Sequence, residues 1–446
     1  MPIQPKKAML RLLAGVLAAL TMQGAEYYIS PTGSDSNNGR STGTPWLTPN
    51  HALSCGDTIT AAAGTYSYLN FGATSWGVVT CAAGDNVAWL QCATFAACTI
   101  TTDGTVNGMV VNGAYWGVRG WEINMAGSPA STGGSGIWPA ETCGSHHIVI
   151  ANNVINQAGV NGIGSGVFPG QTGCVNDYIA FIGNAVYFAG QWNGNCNSNL
   201  SIYQPYALDS LAGTHMYVAG NISWNAHNPN PCHGGPPTDA QGITFDTWGG
   251  EQGGSAYTQR GVIENNIVLY NGGAGISVYQ NGTASTAIVR YNTLVDDASQ
   301  NNYKEIALLS SSNVTVTNNL IRASASNAGV TSGSSSNNIS SNWIYTPGGT
   351  ACSGTGCGTN VTGTDPNFVS NTDPGAPSCG SATSVPNCMA TVIANFAPQA
   401  SGASAYGYQI PTQNYSANPY FPSWLCNVNL PAGLVSNHCV RRQRIR

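Results

Sequence analysis

Charge is what this sequence has least of. Of 446 residues, 13 are Lys or Arg and 18 are Asp or Glu, so charged residues make up 7%, against roughly a quarter in an ordinary soluble domain. Three of the basic residues (Lys6, Lys7, Arg11) stand near the start, and four (Arg441, Arg442, Arg444, Arg446) close the chain. Cations this sparse cannot form an extended phosphate-neutralising surface, which excludes nucleic acid as the expected partner. Long apolar runs are missing too. The stretch Leu12–Thr21 is too short to span a bilayer, so stable membrane insertion is not expected. No C-x2-C pair occurs, which removes the commonest zinc-ligand spacing.

What is present is apolar and small. Hydrophobic residues make up 42% and Gly contributes 56 positions, enough for a large core and unlike a disordered chain. Residues 1–25 read as an export signal: Lys6, Lys7 and Arg11 precede the apolar stretch, and small residues Gly24 and Ala25 stand before Glu26. Fourteen cysteines, an even count, fit structural disulfides in an oxidising compartment. The expected destination is secreted, periplasmic or at the cell surface.

Short β-branched runs carrying Asn recur through the middle, as in Ile148-Val-Ile-Ala-Asn-Asn-Val-Ile155, Gly261-Val-Ile-Glu-Asn-Asn-Ile-Val268 and Val314-Thr-Val-Thr-Asn-Asn-Leu-Ile321. The last Asn of each run falls at 153, 184, 221, 266, 292, 319 and 342, with gaps of 31, 37, 45, 26, 27 and 23 residues. The shorter gaps fit one coil of a parallel β-helix, with three short strands and three turns, apolar side chains inward and polar ones outward. An Asn at a fixed corner can bond its copy one coil away and satisfy turn backbone that no ladder reaches. The longer gaps place inserted loops between about 160 and 262, and insertions in repeat folds collect on the binding side. The expected division is a signal at 1–25, the β-helix at 26–346, and a Cys-rich coil and cap over 347–446 packed on the helix end. Covering that end would blunt unpaired strand edges.

Several segments carry a resemblance. Tyr27-Tyr-Ile-Ser-Pro-Thr-Gly-Ser-Asp-Ser-Asn-Asn-Gly39, Thr44-Pro-Trp-Leu-Thr48, Cys55-Gly-Asp-Thr-Ile59 and Gly64-Thr-Tyr66 resemble the amino-terminal part of exported pectate-lyase-like right-handed parallel β-helix proteins. Asp365-Pro-Asn-Phe-Val369 and Ser401-Gly-Ala-Ser-Ala-Tyr-Gly407 are similar to a degenerate last coil of that group. The resemblance spans roughly residues 27–410. It implies an all-β solenoid and a polysaccharide partner. The superfamily holds lyases, hydrolases, epimerases and non-catalytic surface proteins, so activity must be argued from the site.

In so uncharged a chain each carboxylate is informative. The window 209–251 holds Asp209, Asp239, Asp246 and Glu251, with His215, His227 and His233. Aligning Gly242-Ile243 with Gly275-Ile276 turns Ile243 and Phe245 inward, and sets Asp246 outward beside Tyr279 on the next coil. Two chemistries suit such a surface. Elimination by a lyase needs a base, and a cation, calcium being the expected ion, to neutralise a uronate carboxylate. Asp209, Asp239, Asp246 and Glu251 are its candidate ligands, and Tyr279, Arg260, His215 or Arg290 its base or charge partner. Hydrolysis needs two carboxyl groups about 5–9.5 Å apart, one of them protonated, and Asp239 with Asp246 is the best pair. Scarcity of Arg argues against a highly charged polyuronate. Trp192 and Trp248, in the inserted loops, are expected as sugar-stacking platforms, with His233 and Glu251 beside them. Glu264 and Glu305 are expected on the surface of plain coils, and Cys232 in a disulfide. The leading expectation is an exported lyase at a loop-rich cleft. The alternatives are an inverting glycoside hydrolase on the same fold, or a non-catalytic adhesin or envelope glycan-binding protein.

Overall fold

The computed structural model describes residues 24–72, 79–81, 86–125, 133–139, 144–167, 174–250, 255–324, 327–409, 420–428 and 430. Most of the expected export signal therefore lies outside the described residues, as does Glu251. Three parallel sheets of eleven, eleven and ten strands run along the molecule. Sheet 1 begins at Glu26–Ile29, sheet 2 at Gly64–Tyr66 and sheet 3 at Leu69–Phe71. Each coil gives one strand to each sheet in turn: Asn176–Ile182, Ala185–Tyr187 and Leu200–Tyr203, then sheet 1 again at Thr214–Ala219. The fold is the expected right-handed parallel β-helix.

Alternation along each strand builds the core. Ile150, Phe181, Val218, Ile263, Val289, Val316 and Ile339 occupy successive coils of sheet 1 in register, all buried. Like side chains stack on like, and each coil hides an apolar edge that it could not bury alone. The corner between sheets 1 and 2 explains the Asn pairs. The residue before each ladder Asn has positive φ: Asn152, Gly183, Gly220, Asn265, Tyr291, Asn318 and Ser341. Asn and Gly tolerate that left-handed conformation best. The following Asn then turns inward. Asn266 donates from its backbone N (3.0 Å) and Nδ2 (2.9 Å) to Asn292 Oδ1, and its own Oδ1 accepts the same two bonds from Asn221. The chain of bonds runs from Asn153 to Asn360.

The described carboxyl-terminal residues also cover the sides of the solenoid. Helices α1 (Val385–Cys388) and α2 (Ala390–Asn395) lie along the side of the solenoid. Val385, Met389, Val392 and Phe396 pack on Trp224, Ile267, Leu269 and Leu320, outward residues of sheet 2. Phe421, Trp424, Leu425 and Val428 pack on Val149, Ala180, Tyr217 and Val262 of sheet 1. The physical reason is that these strands are apolar on both faces, so the outer side of each sheet needs a cover as much as the solenoid end does. The described tail residues thus occupy two of the three sides, and sheet 3 carries the open cleft. Five disulfides are described: Cys55–Cys81, Cys92–Cys98, Cys196–Cys232, Cys352–Cys357 and Cys379–Cys388. Among the described residues no helix is long and apolar enough to cross a membrane.

Candidate functional site

Sheet 3 presents its outward residues to a cleft of about 570 Å³. The lining comes from five consecutive coils, those of strands Met109–Val111, Ile137–Pro139, Ile163–Gly166, Leu200–Tyr203 and Ile243–Asp246. Strand register sets two outward rows. Gly164, Ser201, Thr244 and Ser277 form one, and Gly166, Tyr203, Asp246 and Tyr279 the other. Asp246 therefore stands between two tyrosines, Tyr203 on the coil before and the expected Tyr279 on the coil after. Thr244 and Ser277 hydroxyls lie 2.6 Å apart.

Two of the inserted loops line this face. Residues 188–199 and 225–242 lead into sheet 3, and residues 204–213 and 247–259 lead out of it. The first two are stitched into a single wall. The Cys196–Cys232 disulfide joins them, Asn228 Nδ2 donates to the carbonyls of Gly190 (3.1 Å) and Asn197 (2.9 Å), and Gln300 bonds both the N and the O of Asn228. His233, also expected at the site, is exposed on that wall, with Nδ1 3.1 Å from the carbonyl oxygen of Gly194. A wall so fastened is preformed, which is the usual condition of a ligand cleft.

Trp192 lines the cleft from this wall. Its indole is clamped: a Cβ added to Gly194 would sit 2.1 Å from the ring. Trp138 lies flat on the floor, its ring where a side chain at Gly164 would otherwise project. Trp248 does not join them. It is 1% exposed, stacks on Phe245 at 4.3 Å and donates to the Ile202 carbonyl at 3.0 Å. The loop turns its apolar side chain into the solenoid, so it packs and cannot stack on a sugar.

Asp239, from the end of the 225–242 loop, completes the site. Its burial pushes the carboxyl up to about 7; the Asp246 charge adds to the rise and a hydrogen bond with Gln241 opposes it. Asp246 accepts from the Thr247 hydroxyl at 2.7 Å. Tyr303 stands close enough to feel Asp239, Tyr279 and Asp246, and together with burial they raise its pKa. Sequence reasoning missed Tyr203 and Tyr303. Aligning Leu200-Ser-Ile-Tyr203 with Ile243-Thr-Phe-Asp246 would have found the first; nothing in the local pattern marks the second.

Other expected site residues lie on the sheet 1 side. His215 is 1% exposed, its ring nitrogens 3.0 Å from Asp177 Oδ2 and 2.9 Å from the Leu211 carbonyl oxygen. The Tyr257 hydroxyl donates to the same Asp177 at 2.6 Å. Asp209 accepts from the Tyr178 hydroxyl at 2.9 Å and does not line the cleft. Arg260 lies over the Tyr420 ring at 5.5 Å, and Arg290 pairs with Glu264 at 2.7 Å. None of these reaches Asp246, because sheet 1 and sheet 3 are different sides of the coil. The four-acid calcium set is therefore not assembled by the described residues: Asp239 and Asp246 share the cleft, Asp209 is elsewhere, and Glu251 lies outside the described residues. No group of three His, Cys, Asp or Glu suited to a metal ion occurs among the described residues. Glu264 and Glu305, expected at the surface, are both fully buried.

The family model described as right handed beta helix region matches residues 253–390. No curated protein matches the chain. Solved structures similar to it include pectate lyase Pel9A, at 16% identity and TM-score 0.46 over 77% of this chain and 82% of that one. A rhamnogalacturonan lyase is similar at 13% and 0.43, over 78% and 91% of the two chains. The GH136 lacto-N-biosidase from Eubacterium ramulus is similar at 13% and 0.43, over 79% and 68%. At these identities the likeness is one of fold.

Proposed function

We propose that this protein is a glycoside hydrolase that binds a polysaccharide along sheet 3 and cleaves it between Asp239 and Asp246. The observation that carries the reading is the pair itself: two carboxyl groups in one cleft, one of them raised to about 7. A carboxyl held protonated near neutrality can give its proton to the leaving glycosidic oxygen, while its partner carboxylate activates water or attacks the anomeric carbon. Positioned acid and base each contribute about 10²–10⁴-fold in rate. Trp192 supplies a flat apolar face suited to a pyranose ring, and the uncharged Asn, Ser and Thr of the lining supply hydrogen bonds.

Elimination, the leading expectation from sequence, has less support. It needs positive charge beside a substrate carboxylate, and among the described residues the cleft lining holds no Lys, Arg or His. Export is part of the proposal and draws support from the disulfides, which persist in oxidising compartments.

The test is incubation with a panel of polysaccharides. New reducing ends without the ultraviolet absorbance of an unsaturated uronate would report hydrolysis, and the anomer first released would show whether Asp246 activates water or attacks carbon. Asp239→Asn and Asp246→Asn should each remove the activity and leave the fold intact. Unsaturated product would establish elimination instead. Turnover retained by either variant would defeat the assignment.

A further inference from the structure

We infer that the cleft takes uncharged glycan chains, laid parallel to the solenoid axis, and rejects chains of uronates; this rests on the proposed carbohydrate cleft and narrows its substrate. The argument is one of charge placement. The ionisable carboxyls of the lining are Asp239 and Asp246. A uronate bound there would bring its own carboxylate beside Asp246, and like charges facing each other in a partly desolvated site repel strongly.

Compensating cations are engaged elsewhere. Arg119 lies over Trp89 at 4.5 Å and bonds Gln91 Oε1 at 2.9 Å. Arg260 and Arg290 lie over Tyr420 on sheet 1. Arg322 pairs with Asp296, and Arg40 lies over Tyr27 at 4.2 Å. Lys304 does not line the cleft. Among the undescribed residues, Lys and Arg stand only within 1–23 (Lys6, Lys7, Arg11) and 431–446 (Arg441, Arg442, Arg444, Arg446). The lining polar groups are instead neutral, led by Asn107, Asn161, Asn195 and Asn197. Amide side chains offer both donors and acceptors, the complement of sugar hydroxyls.

Direction follows from the same geometry. The lining is contributed by five stacked coils about 4.8 Å apart, so the cleft runs across the strands and along the axis. Trp192 leads into the fourth of these coils and Asp246 lies on the fifth. A chain in the cleft therefore has its stacked residue on the amino-terminal side and its scissile bond at the Asp246 end.

The experiment uses the full chain carrying Asp239→Asn, which keeps the Asp246 charge while blocking the proposed acid. Calorimetric titration compares cellohexaose, xylohexaose and chitohexaose with hexagalacturonate and hexaguluronate. At least one neutral hexasaccharide should bind about 100-fold more tightly than either uronate, and Trp192→Ala should weaken that binding about 10-fold or more. Adding Asp246→Asn should narrow the gap between the two classes. Uronates bound equally well or better, or no binding by any hexasaccharide, would overturn the inference. If neutral chains bind yet the unaltered protein releases no reducing ends from them, the substrate class stands and the hydrolase reading falls.

Discussion

Asp239 is raised to about 7 by its own burial first and by the Asp246 carboxylate second. If its proton is what the reaction consumes, activity declines above about pH 7, approaching a tenfold loss per unit once Asp239 has ionised. Replacing Asp246 by Asn removes one of the two causes and lowers the Asp239 pKa, which substrate-free NMR titration of the carboxyl carbon would follow. The same shift has a stability consequence. A carboxyl whose folded pKa exceeds its unfolded value, about 3.9 for Asp, favours the fold below that value. The contribution is lost as pH rises through about 7. Asp239→Asn should therefore melt higher than the unaltered chain at pH 8 and no higher at pH 4. A lower melting temperature at pH 8 would contradict the buried-acid account.

Trp192 and Trp248 come from inserted loops on opposite ends of sheet 3 strands and have opposite fates. Trp192→Ala should raise KM on a bound glycan about 10-fold, in line with a lost aromatic contact of order 1.4 kcal/mol, and leave the melting temperature nearly unchanged. Trp248→Ala should cost about 3–5 kcal/mol of stability in denaturant unfolding, the usual penalty for emptying a buried Trp site. Equal stability loss in both variants would mean that Trp192 also packs.

The solenoid was legible because its cause is local and periodic. A left-handed corner residue followed by a bonded Asn recurs on each coil from Asn153 to Asn342, and marks it in the letters alone. Asp246 was legible for the same reason, since alternation on Ile243–Asp246 sets its direction. The partners of His215 were not. Asp177 reaches His215, and Tyr257 reaches that Asp177, from coils whose lengths differ by unequal insertions, so no fixed offset predicts the meeting. The burial of Glu264 was hidden likewise, because Tyr217 on one coil and Arg290 on another enclose it.

Asp297 and Glu305 form a second acid pair, wholly buried at the corner between sheets 2 and 3. Asp297 Oδ1 accepts from Asn271 N (2.7 Å) and Nδ2 (2.8 Å), and the Asp297 N–H donates to Glu305 Oε1 at 3.1 Å. Burial raises both carboxyls, Asp297 to about 7; the Asp297 carboxyl raises Glu305 further, while hydrogen bonds with Asn271 and Glu305 hold Asp297 below what burial alone would give. Both pKa values lie above those of the unfolded chain. The stability they confer is present in acid and is lost as pH rises through about 7 and beyond. Glu305→Gln keeps the shape and removes one ionisation, so its melting temperature should exceed that of the unaltered protein at pH 9, with little difference at pH 4. A fall at pH 9 would show that the charged form is the one the site holds.

The last prediction concerns the chain beyond Tyr408. Phe421, Trp424, Leu425 and Val428 cover outward residues of sheet 1 that include Val149, Tyr217 and Val262, and Trp424 Nε1 donates to the Thr214 carbonyl at 3.2 Å. Ending the chain after Tyr408 would leave that face bare, as one contiguous patch of the kind that folded monomers seldom expose. The shortened protein should bind a hydrophobic dye and self-associate in sedimentation. Its cleft is built from residues 107 to 246 on another side of the coil, so glycan cleavage per folded molecule should be retained. A monodisperse, dye-silent product would mean that sheet 1 needs no cover. Lost cleavage with the fold intact would mean that the tail reaches the cleft after all.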